Sequence, residues 1–264
     1  MRVLRSTRID LPPATVWAEV QTAPLLQHIA WPMLRFVPVG ETSLEEFRPG
    51  GRYQVKLRLL GFIPLGTQWI VTSLHEPETG EWPKRLRDNG YSALIAKWDH
   101  WITVAPDADG GTHYSDDVEI SAGILTPFIW EFAHIFYWHR QRRWHGLALT
   151  LPMRRVIADE MTLFHAARVY GEIDVAWQHL ERAHIISQPH LGLHLASHWS
   201  MFGFAVEQRD WRETVGQIVR LALAPLGALT GRIPVGNTGR SNVSAFQPML
   251  VPDDLRRAIE APSE

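Results

Sequence analysis

Two hydrophobic periods divide the chain. In the first half, apolar residues recur at every second position. Tyr53, Val55, Leu57 and Leu59 alternate with Gln54, Lys56 and Arg58. Leu94, Ala96, Trp98, His100 and Ile102 alternate with Ile95, Lys97, Asp99 and Trp101. A period of two predicts half-buried antiparallel strands. Residues 1–11 and 112–121 read as further strands, and residues 15–28 as a helix with Val16, Trp17, Val20 and Leu25 on one side. Turn clusters at Glu76-Pro77-Glu78-Thr79-Gly80 and Asp107-Ala108-Asp109-Gly110-Gly111 join strands. A helical run from about residue 127 to 149 closes this half. Strand, helix, strand meander and long helix predict an α+β domain over residues 1–149, an antiparallel sheet wrapped around its last helix.

Beyond that point the period is helical. Thr150-Leu151-Pro152-Met153 breaks the long helix. Helices are predicted over residues 156–170, 175–186 (capped by Asp174), 190–207, 211–224 and 253–259. Residues 225–252 are punctuated by Gly and Pro. Residues 150–264 therefore read as a second, all-α helical-bundle domain.

Composition narrows the chemistry. The 264 residues are 45% hydrophobic, which excludes a disordered chain. There is no cysteine, so disulfides, cysteine-held metals and thiol nucleophiles are excluded. Lys and Arg total 26 against 28 acids, a balance that argues against nucleic-acid binding. Arg140, Arg142, Arg143, Arg154 and Arg155 form one local basic run that could hold an anion. A solvated helix end is the simpler reading. The most apolar stretch, residues 122–138, carries Pro127, Glu131 and His134 and reads as a buried helix rather than a membrane span. No targeting segment stands out, so a cytoplasmic location is expected. The composition leaves a homo-oligomer open.

Strand parity puts Tyr53, Val55, Leu57, Trp98 and His100 on one inward face. On the long helix, Trp130, His134, Tyr137 and Gln141 recur at steps of three and four. Together they are candidates to line an apolar pocket of at least ~300 Å³.

Histidines concentrate in the second half, where six of the 13 lie between His165 and His198. His184 continues the Ile173-Trp177-Leu180 stripe, with Glu181 on an adjoining edge. His194 and His198 stand one turn apart on the next helix, beside Leu191, Leu195 and Phe202. Facing stripes of Glu-x-x-His and His-x-x-x-His suit a divalent metal such as zinc or iron, with Glu181 as a fourth ligand and His165 as a further candidate. A hydrogen-bonded core cluster, with Glu181 paired to Arg182 or Arg220, is the alternative.

Two resemblances add to this reading. The Asp10-Leu11-Pro12-Pro13-Ala14-Thr15-Val16-Trp17 opening, the element order and the closing helix resemble the SRPBCC, or START-like, helix-grip superfamily over residues 1–148. That resemblance implies a cavity for an apolar small molecule and says little about catalysis. Glu181-Arg182-Ala183-His184, Gln188, His194, His198-Trp199, Gly216-Gln217 and Pro234-Val235-Gly236-Asn237-Thr238-Gly239 resemble a small bacterial family of unknown function over about residues 160–260. That family has Gly-Gly after Asn-Thr, where this chain has Gly239-Arg240. The Gly-Asn-Thr-Gly run lacks the Lys and the following helix of a phosphate loop, and reads as a turn covering one end of the bundle.

The expected function is binding of an apolar small molecule in the first domain, with a metal held in the second. The alternatives are a metal-dependent enzyme, a hydrolase or an oxygenase, acting on the pocket's ligand, and a tetratricopeptide-like interaction module without metal.

Overall fold

A computed structural model describes residues 1–40, 48, 50–230 and 234–260. The chain divides into two units, Met1–Leu149 and Thr150–Pro262.

Unit 1 is a seven-stranded antiparallel sheet and a long helix. The strands are β1 (Arg2–Ile9), β2 (Leu34–Pro38), β3 (Arg52–Leu59), β4 (Ile63–His75), β5 (Lys84–Ser92), β6 (Lys97–Pro106) and β7 (Thr112–Ser121), in the order β1-β7-β6-β5-β4-β3-β2. Two short helices, α1 (Pro13–Val20) and α2 (Ala23–Ala30), connect β1 to β2. A 3-10 turn, Gly123–Leu125, leads into α3 (Thr126–Ala148). One core cluster joins Ala133, Phe136 and Tyr137 of α3 to Val3 on one edge strand, Leu34 on the other, and Trp98, Val118 and Ile120 between them. Both edges meet the same helix, so the sheet curls around it. This is the helix-grip arrangement.

Two local expectations change. The helix expected over residues 15–28 is two helices. Pro24 lacks an amide hydrogen and obstructs the preceding turn, and Thr22 caps the second helix by accepting from Leu25 N at 3.3 Å. The alternation at residues 94–102 becomes a strand only from Lys97, because Ser92 N donates to Ile95 O and turns the chain. Strands β2, β4 and β5 are not individually marked by the hydrophobic pattern.

Unit 2 is helical: α4 (Leu151–Val169), α5 (Ile173–Ser187), α6 (Leu191–Glu207), α7 (Trp211–Thr230) and α8 (Asp253–Glu260). Pro152 does not extend the break; it sits in the first turn of α4, where a missing amide costs nothing. Helix α7 runs through Pro225 instead of ending at residue 224. Leu221, Leu223, Leu226 and Leu229 flank that proline, and such strong helix formers carry the helix past one lost backbone bond. Glu172, not Asp174, is the N-cap of α5. Phe164, Ala167, Trp177, Leu180, Met201 and Phe204 pack α4, α5 and α6 together. In the Gly- and Pro-rich segment, residues 231–233 lie outside the described residues. No described helix is long and apolar enough to cross a membrane.

Candidate functional sites in the two units

A cavity of about 390 Å³ lies between the unit 1 sheet and α3. Leu57, Trp98 and His100 of the sheet and Tyr137 of α3 line it. Tyr53 and Val55 are buried beside it in a separate cluster with Ala23 and Ile70. Trp130 and His134 are turned elsewhere. Trp130 Nε1 donates to Arg2 O, Gln141 Nε2 to Arg5 O, and His145 Nε2 meets Thr7 Oγ1 at 2.8 Å. That face of α3 clamps β1. The cavity face is one step around, at Ile129, Phe132, Phe136 and Arg140.

Asp88, His100, Tyr114 and Arg140 break the apolar wall, and Asp116, outside it, partners two of them. Asp116 is fully buried and accepts from His100 Nε2 at 2.9 Å, Tyr114 Oη at 3.0 Å and Gln141 Nε2 at 3.1 Å. Burial alone would raise its pKa, but Arg140 and these donors outweigh that and hold it below the usual carboxylate range. Burial lowers His100, against the Asp116 bond, so its ring is neutral. Asp88 is the contrasting group. Between Trp69↔Tyr91 and Thr72↔Asp88 of the β4–β5 ladder, Val71 N donates to Asp88 Oδ1 at 2.9 Å. The carboxyl lines the cavity, and desolvation pushes it up to about 7. Sequence reasoning missed Asp88, Asp116 and Arg140. The spacing of Arg140 from Phe136 and Tyr137 was the available signal.

In unit 2 the three predicted histidines converge. His184 Nε2 lies 3.0 Å from His194 Nε2 and 3.2 Å from His198 Nε2. All three residues are buried. Burial lowers each pKa, His194 and His198 to about 4 and His184 well below its ordinary value, so the rings are neutral. Their hydrogens can be placed. His184 Nδ1 faces the carbonyl of Asn237 at 3.0 Å, so it must carry the proton. His198 Nδ1 faces Gln217 Oε1 at 2.8 Å. That amide is oriented by its nitrogen, which donates to Glu213 Oε1 and Gly239 O. The Nε2 atoms of His184 and His198 are therefore both bare lone pairs. His194 offers at most one hydrogen between them, and its own Nδ1 is buried without a partner among the described residues.

The Gly-Asn-Thr-Gly run packs against the histidine cluster. Asn237 holds His184 through its backbone carbonyl, and its side chain donates to Ser244 O and Gln247 O. Gly239, at φ +79°, lies against the imidazole of His184. A Cβ there would come within 2.8 Å of the ring. Gln188 ties the same run down through Pro234 O, Asn237 O and Gly236 N.

Two predicted metal ligands are not in the cluster. Glu181 pairs with Arg240 at 3.3 Å, and neither Arg182 nor Arg220 is its partner. Arg182 pairs with Glu160 and Asp254, while Arg220 donates to the carbonyls of Arg240 and Val243. His165 is exposed beside Phe164. His179 is half-buried against Glu160. A pocket of about 60 Å³ opens onto the three histidines, walled by Arg220, Leu223, Ala224 and Phe246.

Residues 7–146 match a family described as a domain of unknown function, DUF8410. The chain belongs to this family. Residues 152–259 match a second description, a protein of unknown function, DUF3703. No curated protein matches the chain at a significant level. Among solved structures, a START superfamily protein from Mycobacterium smegmatis is similar, at 14% identity and a TM-score of 0.39, over 57% of this chain and 98% of that one. A protein from Chromobacterium violaceum is similar at 17% identity and a TM-score of 0.42, over 56% of this chain and 96% of its own. A protein from Thermus thermophilus is similar at 12% identity and a TM-score of 0.42, over 57% and 99%.

Proposed function

We propose that this chain is a binding protein with two sites: an apolar small molecule in the unit 1 cavity, and a divalent metal on His184, His194 and His198 of unit 2. The observation that carries the metal reading is the pair of bare lone pairs facing each other inside the bundle. One His194 proton satisfies one of them. A cation satisfies all three imidazoles at once. At zinc–nitrogen distances of ~2.0–2.1 Å, tetrahedral ligands sit about 3.3 Å apart. The 3.0 and 3.2 Å separations are already near that value. Asn237 O and Gln217 Oε1 would orient two of the ligands from behind.

The experiment is metal analysis of the purified full-length chain, followed by zinc titration of the chelator-treated protein. About one zinc per chain is expected. A chain that neither retains metal nor binds zinc would overturn the assignment.

The cavity reading stands on its volume and its mainly apolar wall. Saturable binding of a neutral apolar fluorophore tests it. The open pocket beside the histidines favours one further reading, metal-dependent chemistry. Its volume admits about two waters, and a three-histidine metal with an open position lowers the pKa of bound water to ~7. Glu181, turned to Arg240, supplies no base there. The binding reading is therefore preferred. An interaction module without metal leaves the convergence of the histidines unexplained.

A further inference from the structure

The unit 1 cavity contains a cation whose donors are not fully used. Arg140 is 5% exposed and lines the cavity. Its Nη2 is 3.5 Å from Tyr114 Oη and 3.6 Å from Asp116 Oδ1, both long for a hydrogen bond. Its Nε is buried and has no partner among the described residues. Asp116 already accepts from His100, Tyr114 and Gln141 and stands 3.6 Å from Arg140 Nη2, so it leaves the Nε donor unmet. Asp88, the other carboxyl group near the guanidinium, is engaged by Val71 N. The rings of Tyr137 and Phe136, at 5.2 and 5.9 Å, complete its surroundings.

A guanidinium offers five donors in a fixed planar fork, and leaving them unpaired in an apolar enclosure is costly. Away from Arg140 the wall is mainly hydrocarbon, including Leu25, Ile29, Leu57 and Phe132. It ends at the exposed residues Leu65, Leu94, Leu125 and Phe128, which rim the opening. The cavity is thus apolar at its mouth, and where it is most buried it presents the guanidinium of Arg140 with an unused Nε donor beside Asp116 and Asp88.

We propose that its ligand is an amphipathic monocarboxylate. The carboxylate is received by Arg140 at the inner end, and the hydrocarbon chain lies along the apolar wall toward the rim. This rests on the cavity reading above and names its ligand class. A carboxylate matches the fork in two parallel bonds. A neutral alcohol has one oxygen to offer and leaves other donors unmet. A phosphate monoester brings close to two negative charges to a single cation, with Asp116 already beside it.

The test uses the full chain and a neutral probe, N-phenyl-1-naphthylamine, displaced in turn by dodecanoate, dodecanol and dodecyl phosphate. Dodecanoate is expected to displace the probe at concentrations at least about tenfold lower than the other two. Arg140→Met should erase that preference and leave dodecanol unchanged. If this variant fails to fold by circular dichroism, Arg140→Lys, which keeps the charge and loses the fork, should weaken dodecanoate alone. Equal displacement by dodecanol and dodecanoate would overturn the carboxylate assignment and leave the cavity reading standing. Tighter displacement by dodecyl phosphate would overturn it too. A chain that binds neither the probe nor any of the three loses both readings.

Discussion

Asp88→Asn isolates the energetic cost of a carboxyl group held in the cavity wall. Asparagine keeps the oxygen that accepts from Val71 N and removes the ionisation. Asp88 is half-buried by area, and the area it shows lines the cavity. Desolvation holds it near 7 in the folded chain, whereas the unfolded value lies near 4. Below about pH 4 both states are protonated and Asp88 costs nothing. Between about pH 4 and 7 the unfolded chain ionises first, so wild-type stability falls relative to the variant. Above about pH 7 both states are ionised and the difference is constant. At ~1.4 kcal/mol per pH unit, the loss across the window is about 4 kcal/mol, and nearer 2 kcal/mol if water enters beside the carboxyl. His100, paired with Asp88 across β5 and β6, is pushed down by burial. Urea unfolding of both full-length chains, read by hydrogen exchange in β4 and β5 peptides, measures the difference. Parallel pH profiles for wild type and Asp88→Asn would refute the reasoning.

Four further outcomes are expected. His194→Ala or His198→Ala should abolish metal retention while near-ultraviolet dichroism of the unit 1 aromatics is unchanged; zinc stoichiometry near one in either variant would contradict the site. Gln217→Met removes the acceptor that orients His198 and should weaken zinc by about 10–100-fold in competition with a chromophoric chelator. Gly239→Ala places a Cβ within 2.8 Å of the His184 ring at φ +79° and should cost at least ~1 kcal/mol of stability, along with zinc affinity; an unchanged melting temperature would contradict it. Proteolysis near Leu149 and Thr150 should release two fragments that remain folded, whereas loss of structure in both would show one cooperative unit.

How much of this was legible in the sequence depends on whether a residue's role is set by its own element. His194 and His198 share a face because four residues make about one helical turn, and the Trp177-Leu180 stripe carries His184 inward. A short link then forces the stripes together, so the cluster could be read before the fold. Glu181 has the same kind of spacing, but it sits at the edge of the stripe. Arg240, 59 residues away, decides where it points. No periodicity reaches that far. The strands behave alike. Strand β7 alternates cleanly, and its expected limits, residues 112–121, match those observed. Strand β5 contains Asp88-Asn89-Gly90, a turn signal by composition. In the sheet, Asp88 instead supplies the acceptor for Val71 N, and this places its carboxyl on the cavity wall. Arg140 shows the limit most clearly. Within a run of arginines it reads as one more solvated cation. Arg142 is exposed and Arg143 only half-buried, as that reading requires. Arg140 differs only in following Phe136 and Tyr137 by one turn, which turns it toward the cavity. A charge on an apolar face looks like noise in a hydrophobic pattern. In the folded wall the same charge stands beside Tyr114 and Asp116 with its Nε unmet, a placement no periodicity announces.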